Sequence, residues 1–237
     1  MNLVVLTTDT LHHRQFVRAV QASKPIARVF VETEARARAG FETAHPFETA
    51  RERYEALHWF GGSPPALASL APSESFSNLN APEAVRAIAQ AKPDALIVFG
   101  TGRLNEAIIT LCPERALNLH GGNPEDYRGL DTHLWAIYHG DFAALVTTLH
   151  RLASKLDTGD VIQMLPLPLV RDLALHELRR VNTDICVKLT LDALAELERN
   201  GRFSGRVQRR VGRYYSFMPA VLKALCVERF ARHTSRL

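Results

Sequence analysis

Residues 93–120 read PDALIVFGTGRLNEAIITLCPERALNLH, and this stretch decides the predicted fold. A proline and an aspartate precede the apolar run ALIVF, which is typical of a strand that is buried on both faces. A Gly-Thr-Gly turn ends that run, a helix is expected over 105–111, and a second strand over 116–119 ends at His120. This order of strand, helix and strand is typical of a parallel sheet covered by helices.

The segments on either side extend the same pattern. Strands are predicted over 2–6, 26–31, 145–149 and 161–165, and helices after the first strand, over 33–60, 81–91 and 172–200, and near Pro219. Gly, Pro, Ser and Asn cluster over 61–82 and predict a loop. The sequence therefore indicates the α/β class with a mostly parallel sheet.

Length and composition bound the class of protein. The 237 residues, of which 46% are hydrophobic and 23% charged, suit one large globular domain, or one domain with a small appendage. The three cysteines are far apart and form no CxxC pair, which indicates neither a disulfide framework nor a cysteine zinc site. The chain has no long apolar run and no signal-peptide pattern at its start, so we expect a soluble cytoplasmic protein.

Positive charge is concentrated in residues 201–237. This segment holds nine Lys and Arg residues against a single acid, Glu228, although the net charge of the whole chain is only +4. Such a block can bind nucleic acid, a phosphate-bearing molecule or an acidic membrane, or it can simply solvate the surface, which is the default. We divide the chain into a body over 1–200 and a basic, aromatic extension over 201–237.

Three polar residues carry the predicted chemistry. Asn118 and His120 alternate with leucines at the end of a strand, so their side chains share one face. Asp157 lies in a turn between two strands that can approach the same sheet edge. An amide that donates to an oxyanion, an imidazole and a carboxylate together suit acyl transfer to an amine. Taken singly, a histidine at a strand end is more often a loop hydrogen-bond partner, and an Asp-Thr-Gly turn is more often only a turn.

Two longer segments carry a family resemblance: ALNLHGGNPEDYRGLDTHLWAIYHGD over 116–141 and TTLHRLASKLDTGDVIQ over 147–163. They resemble the folate-dependent formyltransferase family, which shows an Asn-x-His segment with Tyr-Arg-Gly, a Trp-Ala motif, and a His followed seven residues later by Asp-x-Gly. The matching residues are Asn118, His120, Tyr127, Arg128, Gly129, Trp135, Ala136, His150 and Asp157. With MNLVVL and PDALIVFGTGRL, the resemblance extends from residue 1 to about 165.

The resemblance implies a Rossmann-like formyltransferase fold with a short basic C-terminal extension, and the co-substrate 10-formyltetrahydrofolate. It assigns catalysis to Asn118, His120 and Asp157. The residues expected to contact the folate are Phe99, Gly100, Gly102, Arg103, Leu104, Leu152, Lys155 and Leu156. Those expected to contact the acceptor are Thr8, Asp9, His12, His13, Tyr127 and Arg128. No metal is expected, because His133 and His139 lack a metal-binding spacing.

Several activities and partners remain open within this resemblance. We favour a nucleotide-linked amino sugar as acceptor, since its pyrophosphate would suit the basic extension. The Thr-rich loop over 7–13 differs from the loop that binds glycinamide ribonucleotide in relatives, and residues 201–237 are too short for the barrel of enzymes that act on aminoacyl-tRNA. The same motifs would also suit a 10-formyltetrahydrofolate hydrolase or a non-catalytic folate-binding module. We expect a small-molecule partner, neither nucleic acid nor membrane. The apolar stripe over 214–225 is typical of packing either on the body or on a second subunit, and the second alternative would give a homodimer.

Overall fold

A computed structural model describes residues 1–34 and 39–237. The strands in this part of the chain are β1 (Leu3–Thr7), β2 (Ile26–Glu32), β3 (Ser73–Phe76), β4 (Ala95–Phe99), β5 (Ala116–His120), β6 (Tyr127–Gly129), β7 (Val146–Arg151), β8 (Val161–Pro166) and β9 (Arg213–Tyr215). Seven of them form one sheet in the order β3-β2-β1-β4-β5-β7-β8. The first five of that order pair in parallel, whereas β7 pairs antiparallel with both β5 and β8. The predicted α/β class is confirmed.

Helices cover both faces of this sheet. They are α1 (Leu11–Ser23), α2 (Pro46–Phe60), α3 (Pro82–Gln90), α4 (Glu106–Ile109), α5 (Thr132–His139), α6 (Leu178–Asn200) and α7 (Ala220–Thr234). On one face, Phe16 of α1 and Leu189 of α6 pack with alternate strand residues such as Leu117. On the other face, Ile88 of α3 and Ile108 of α4 pack with the intervening ones. The alternation of side chains along each strand divides the residues between these two cores.

A third apolar core joins the C-terminal segment to the body. Met218, Cys226 and Phe230 are fully buried in it, together with residues of α5. Strand β9 pairs in parallel with β6 and forms a second, two-stranded sheet. Residues 201–237 thus pack closely on the body, and the division at residue 200 stays a prediction.

The structure corrects two predicted helix boundaries. Of the helix predicted over 33–60, residues 35–38 lie outside the described residues and 39–45 are not helical. Helix α2 begins at Pro46, because proline suits the first helical turn and His45 and Glu48 form a capping box. The helix predicted from 172 begins at Leu178, after a 3-10 turn over Leu175–Glu177.

Three short elements were missed by the sequence analysis. Strand β3 lies inside the predicted loop over 61–82, since its residues SESF are mostly polar and carry no strand pattern. Strand β6 and helix α5 follow the Gly-rich segment after His120, where turn residues dominate the pattern. In the described part of the chain, no helix combines the length and the apolar character that crossing a bilayer requires.

Candidate active site

A cavity of about 480 Å³ lies at the carboxyl ends of the central strands. Its lining includes residues that end or follow β1, β4 and β5. Strand β1 lies between β2 and β4, so the sheet order reverses direction there. Loops diverge at such a point and leave a crevice, which is where open α/β sheets bind ligands.

Two groups of residues line most of this cavity. The loop side comprises 98–104 after β4 and Leu152, Ala153, Leu156 and Asp157 after β7. The helix side is contributed by helices α1, α2, α5 and α6 and the turn before α6. Its residues are His12, His13, Phe47, Glu48, Arg51, His133, Leu134, Leu175, Leu178, Arg179 and Asn182.

The three predicted catalytic residues lie together in the cavity, and a second histidine joins them. The Asp157 carboxylate lies between two imidazoles, with Oδ2 at 3.7 Å from His120 Nδ1 and Oδ1 at 3.5 Å from His150 Nε2. The Asn118 amide nitrogen lies 3.1 Å from the same His150 Nε2. All four side chains therefore form one contiguous polar cluster.

Backbone carbonyls fix both imidazole rings. His120 Nε2 lies 2.8 Å from the Tyr127 carbonyl, and His150 Nδ1 lies 2.8 Å from the Arg151 carbonyl. A carbonyl oxygen can only accept, so each of these ring nitrogens carries a proton and donates it. The other nitrogen of each ring faces Asp157, where it can bind or release a proton.

The cluster keeps Asp157 ionised. Burial opposes the charged form, but the charge of His120, the hydrogen bond and charge of His150 and the backbone N–H of Gly129 outweigh it. Together they hold the pKa of Asp157 far below its ordinary value. The Gly129 N–H donates to Asp157 Oδ2 over 2.9 Å. Asp157 is thus a permanent negative charge beside the two histidines at neutral pH.

Two other histidines of the cavity are held neutral. Burial lowers the pKa of His133 to about 4, outweighing the favourable hydrogen bond of its Nε2 to the Val146 carbonyl at 2.7 Å. Burial, together with the charges of His13, Arg179 and Arg51, also holds the pKa of His12 well below its ordinary value. The helix side of the cavity therefore contributes neutral imidazoles at pH 7.

A close backbone approach shapes the Asp157 turn. The backbone of Asp157 has a φ of +53°, a left-handed conformation that Asp tolerates better than most residues. Two residues on, a Cβ at Gly159 would overlap the Arg151 carbonyl oxygen, so only glycine fits there. The Asp-x-Gly part of the motif thus places the carboxylate and lets the turn close against β7.

The C-terminal segment braces the same turn. The Gln208 side-chain amide donates to the carbonyls of Asp157 and Gly159 over 2.9 and 2.8 Å. Arg128 donates to the Gly212 carbonyl over 2.8 Å and to the Leu156 carbonyl over 3.1 Å. These contacts connect the turn, β6 and the segment before β9 into one unit.

Two basic side chains of that segment pair with acidic residues of the body. Arg206 forms a bidentate pair with Glu125 at 2.8 and 2.9 Å, and Arg210 pairs with Asp126. Among the described residues, none from 201–237 lines the cavity. The expectation that the basic extension lies beside an acceptor phosphate stays a prediction, and within this segment Arg206 and Arg210 are already paired with nearby acidic residues.

Residues 1–193 match the formyl transferase family. The chain belongs to the formyl transferase family. The resemblance drawn from the sequence motifs is thereby confirmed, as is the expectation of a transferase. The matched range contains Asn118, His120, His150 and Asp157, so the whole polar cluster lies within the family segment.

Solved structures share the fold of this chain. A sugar N-formyltransferase from a Shewanella species superimposes with a TM-score of 0.63 at 14% identity, over 97% of this chain and 87% of that one. The formyltransferase PseJ from Anoxybacillus kamchatkensis, in complex with UDP-4,6-dideoxy-4-formamido-L-AltNAc and tetrahydrofolate, gives 0.56 at 16%, over 91% and 86%. A 4-N formyltransferase from Francisella tularensis gives 0.60 at 13%, over 91% and 76%. At these identities the likeness extends to the fold alone.

In this formyl transferase, most of the residues expected to contact the folate line the loop side. They are Phe99, Gly100, Gly102, Arg103, Leu104, Leu152 and Leu156. Lys155 is the exception, since it is exposed and lies outside the lining. Arg103 Nε donates to the Ser154 carbonyl over 2.9 Å and so ties together the two loops of this side.

Of the residues expected to contact the acceptor, the cavity lining includes only His12 and His13. Thr8 instead bonds to the His13 ring at 2.8 Å, and Asp9 pairs with Arg14 at 2.5 Å. Tyr127 is buried, and its hydroxyl donates to Asp141 over 3.1 Å. With Arg128, which braces the Asp157 turn, these residues support the site without lining it.

The helix side was largely missed by the sequence analysis. Glu48, Arg51 and Arg179 belong to helices whose sequence pattern shows only an amphipathic helix, with nothing that marks a binding residue. His133 was considered only as a metal ligand. In residues 1–34 and 39–237, no group of three or more His, Cys, Asp or Glu side chains is arranged to hold a metal ion.

Proposed function

We propose that this formyl transferase transfers the formyl group of 10-formyltetrahydrofolate to the primary amine of a small acceptor, with Asn118, His120 and Asp157 as catalytic residues. One observation carries the proposal: Asp157 lies within 3.7 Å of both His120 and His150, and Asn118 adjoins His150 in the same cavity. The cluster has no side-chain nucleophile. It suits a reaction in which the acceptor amine is itself the nucleophile.

The reaction moves one acyl group and one proton. The amine nitrogen attacks the formyl carbon, and a tetrahedral intermediate with an oxyanion forms. The bond from this carbon to N10 of the folate then breaks, the attacking nitrogen loses a proton, and N10 gains one. Tetrahydrofolate and the formylated acceptor are the products, so the site needs an oxyanion donor and a route for one proton.

Asn118 is the oxyanion donor. The Asn118 amide nitrogen lies 3.1 Å from His150 Nε2, so one of its two N–H groups is directed at that ring. The second N–H of that amide is left for the oxyanion. A single such donor is worth about 3 to 4 kcal/mol of transition-state stabilisation at other acyl-transfer sites.

His120 and Asp157 provide the charge and the proton route. His120 Nε2 donates to the Tyr127 carbonyl, and Nδ1 faces the ionised Asp157. A proton that reaches Nδ1 produces an imidazolium paired with this carboxylate, which places a positive charge beside the oxyanion. Because Asp157 stays ionised, the pair can take the proton from the attacking amine and return it to N10.

The loop side suits the folate. Phe99 and Leu104 are buried, and Leu152 and Leu156 provide further apolar surface next to backbone polar groups. A flat ring with donors and acceptors on its edge fits such a lining. The Arg103 bond to the Ser154 carbonyl keeps the two loops at a fixed separation.

The acceptor that we favour is a nucleotide-linked amino sugar. PseJ, which shares the fold, was crystallised with a formylated nucleotide-linked sugar. The helix side, with its neutral imidazoles and two arginines, provides polar groups next to Asn118 and His120. Neutral imidazoles and cationic arginines also disfavour the ammonium form of the amine, and the uncharged form is the one that attacks.

Turnover with and without acceptor tests this proposal. The protein is incubated with 10-formyltetrahydrofolate and a panel of amines that includes nucleotide-linked amino sugars, simple amino sugars and glycinamide ribonucleotide, and tetrahydrofolate release is followed. We expect release that depends on at least one amine, and mass spectrometry should show that amine gain a formyl group.

Two different outcomes would each indicate another function. Release at the same rate without any amine would identify a 10-formyltetrahydrofolate hydrolase. Binding of tetrahydrofolate without release under any condition would identify a folate-binding module. Either result would overturn the proposed transfer to an amine.

A further inference from the structure

Two arginines of the helix side differ sharply in how they are paired. Arg179 of α6 forms a bidentate pair with Glu55 of α2 at 2.6 and 2.5 Å, and Glu55 is fully buried. The charge of Arg179 is therefore matched within the protein. This pair also fixes α2 against α6, because a buried carboxylate needs its partner.

Arg51, one turn before Glu55 on α2, has no comparable partner in the described part of the chain. Its nearest acidic contact there is Glu48, at 3.8 Å from a terminal guanidinium nitrogen. Its Nε is buried and has no hydrogen-bond partner among the described residues. The guanidinium instead packs over the Phe47 ring, 5.6 Å from the ring centroid. Arg51 lines the cavity, so this weakly paired cation borders the space that a ligand would occupy.

The acidic groups near Arg51 are already engaged elsewhere. Glu48 Oε1 lies 3.0 Å from the Lys223 ammonium of α7, closer than its contact to Arg51. Asp131 accepts the Met218 N–H over 2.8 Å and lies 4.0 Å from Lys223. Burial and the charge of Arg179 lower the pKa of Arg51, and these acids only partly oppose that. An anion beside Arg51 would supply both the missing charge and the missing acceptor.

We propose that Arg51 binds an anionic oxygen group, a phosphate or a carboxylate, of the acceptor. The inference rests on the proposed transfer to an acceptor amine and adds a residue that recognises this acceptor. A guanidinium presents parallel N–H donors that match two oxygens of either group. The neutral His12 can donate or accept a further hydrogen bond alongside, since its Nδ1 is already bonded to the Thr10 hydroxyl at 2.8 Å.

The position of Arg51 also affects the reacting amine. A fixed cation on the helix side disfavours the ammonium form of an amine held in the same cavity. An acceptor bound in this way would have its anionic group paired with Arg51. Its amine would lie unprotonated near Asn118 and His120. The lining therefore selects amines that also carry an anion.

Anion binding tests the inference directly. Inorganic phosphate and acetate are titrated into the full-length protein by calorimetry, with tetrahydrofolate present, for the wild type and for Arg51→Gln and Arg51→Lys. The matched control is Arg53→Gln, which removes an exposed arginine from the same helix outside this cavity. Phosphate binding stronger than acetate binding indicates a phosphorylated acceptor, and the reverse indicates a carboxylate.

We expect Arg51→Gln to weaken binding of the preferred anion by about 10- to 100-fold, the range of a charge-assisted hydrogen bond. Arg51→Lys should fall between it and the wild type, because it keeps the charge and loses the second donor. Arg53→Gln should bind like the wild type. Equal binding by the wild type and both Arg51 variants would overturn the inference, as would no binding to the wild type.

The folate also has carboxylates that Arg51 could bind. A second binding experiment distinguishes them from the anionic group of the acceptor. Tetrahydrofolate and a tetrahydropterin without the glutamate are compared for wild type and Arg51→Gln. We expect both to bind the two proteins equally. If the variant weakens only tetrahydrofolate, Arg51 serves the folate and the inference fails. If neither compound binds the wild type, the proposed function is wrong. The anion titration still tests whether Arg51 binds an anion.

Discussion

On the loop side of the cavity, the lining residues directly follow the ends of β4 and β7, and each loop lies within one short stretch of sequence. On the helix side, Glu55 and Arg179 meet across 124 positions of chain. Strand ends lie at one edge because neighbouring strands are hydrogen-bonded side by side in the sheet, whereas helix residues meet only through side-chain packing. The loop side is thus positioned by the topology of the sheet, and the helix side by tertiary contacts between side chains. We expect substitutions on the two sides to differ in their effects on activity and stability.

The largest effect is expected from Asp157→Asn on the loop side. The substitution keeps the size of the side chain but removes the charge that lies between His120 and His150. We expect kcat to fall about 10⁴-fold, as for other carboxylates that orient a catalytic histidine. Steady-state turnover at saturating substrates measures it, and tetrahydrofolate binding should change less than about twofold.

Asp160→Asn is the matched control for this change. Asp160 lies three residues further along the same turn and outside the cavity lining. Its variant should keep wild-type turnover. A kcat for Asp157→Asn within about tenfold of wild type would remove Asp157 from the catalytic residues.

The second largest effect concerns the stability of the loop side. In Gly159→Ala, the new Cβ overlaps the Arg151 carbonyl, and this backbone oxygen has little freedom to move within β7. We expect the free energy of unfolding to fall by about 2 to 3 kcal/mol. Urea denaturation measures it. Gly40→Ala, which meets no atom within 4 Å, is the control, and equal losses in both variants would contradict the steric argument.

A smaller effect is expected from the neutral imidazole of His133 on the helix side. Its pKa in the folded protein is about 4, so between about pH 6.5 and 4 the unfolded chain binds more protons at this residue than the folded one. The contribution of His133 to stability therefore falls as the pH falls, by about 1.5 kcal/mol from about pH 6.5 to 5. Asp157, whose pKa is lowered, loses its contribution only at far lower pH.

Denaturation curves at several pH values should show a shallower pH dependence in His133→Asn than in the wild type. His139→Asn, which replaces an exposed histidine at the end of the same helix, is the matched control. If His133→Asn follows the wild-type curve between about pH 6.5 and 5, the ring is not held neutral by the fold.

The smallest effect is expected from the basic extension. Arg210 pairs with Asp126 and is largely exposed, and residues 201–237 do not line the cavity in the described part of the chain. The double variant Arg209→Ala with Arg210→Ala should therefore leave the acceptor KM within about twofold of wild type at low and moderate salt. A salt-sensitive rise in KM would instead assign the acceptor phosphate to this segment.

The contrast between the two sides also explains what the sequence could predict. The positions of Asn118 and His120 followed from strand alternation, and the Asp157 turn followed from the family spacing, because both are local patterns. Lys155 was expected at the folate because it lies in the loop over 152–157 that the resemblance assigned to folate binding, yet its side chain is exposed. Adjacency in a loop does not fix the direction of a side chain.

Arg51 and Arg179 could not be predicted in the same way. On a helix, a charged residue that lines a cavity has the same sequence pattern as one that faces solvent, and Arg51 and Arg53 are only two positions apart. What distinguishes them is which neighbours pack around α2, and that depends on contacts distant in sequence. Strand β3 was missed for a related reason, since its mostly polar residues form a strand only beside β2.

The brace on the Asp157 turn has a consequence for the order of synthesis. Gln208 follows Asp157 by 51 positions, and β9 follows later still. A nascent chain that has emerged as far as the end of α6 already contains every residue of the family motif, but it lacks the side chain and the strand that support the turn. We therefore expect the reactive residues to be synthesised before the residues that fix their geometry, so that activity begins only after Gln208 and β9 have been translated.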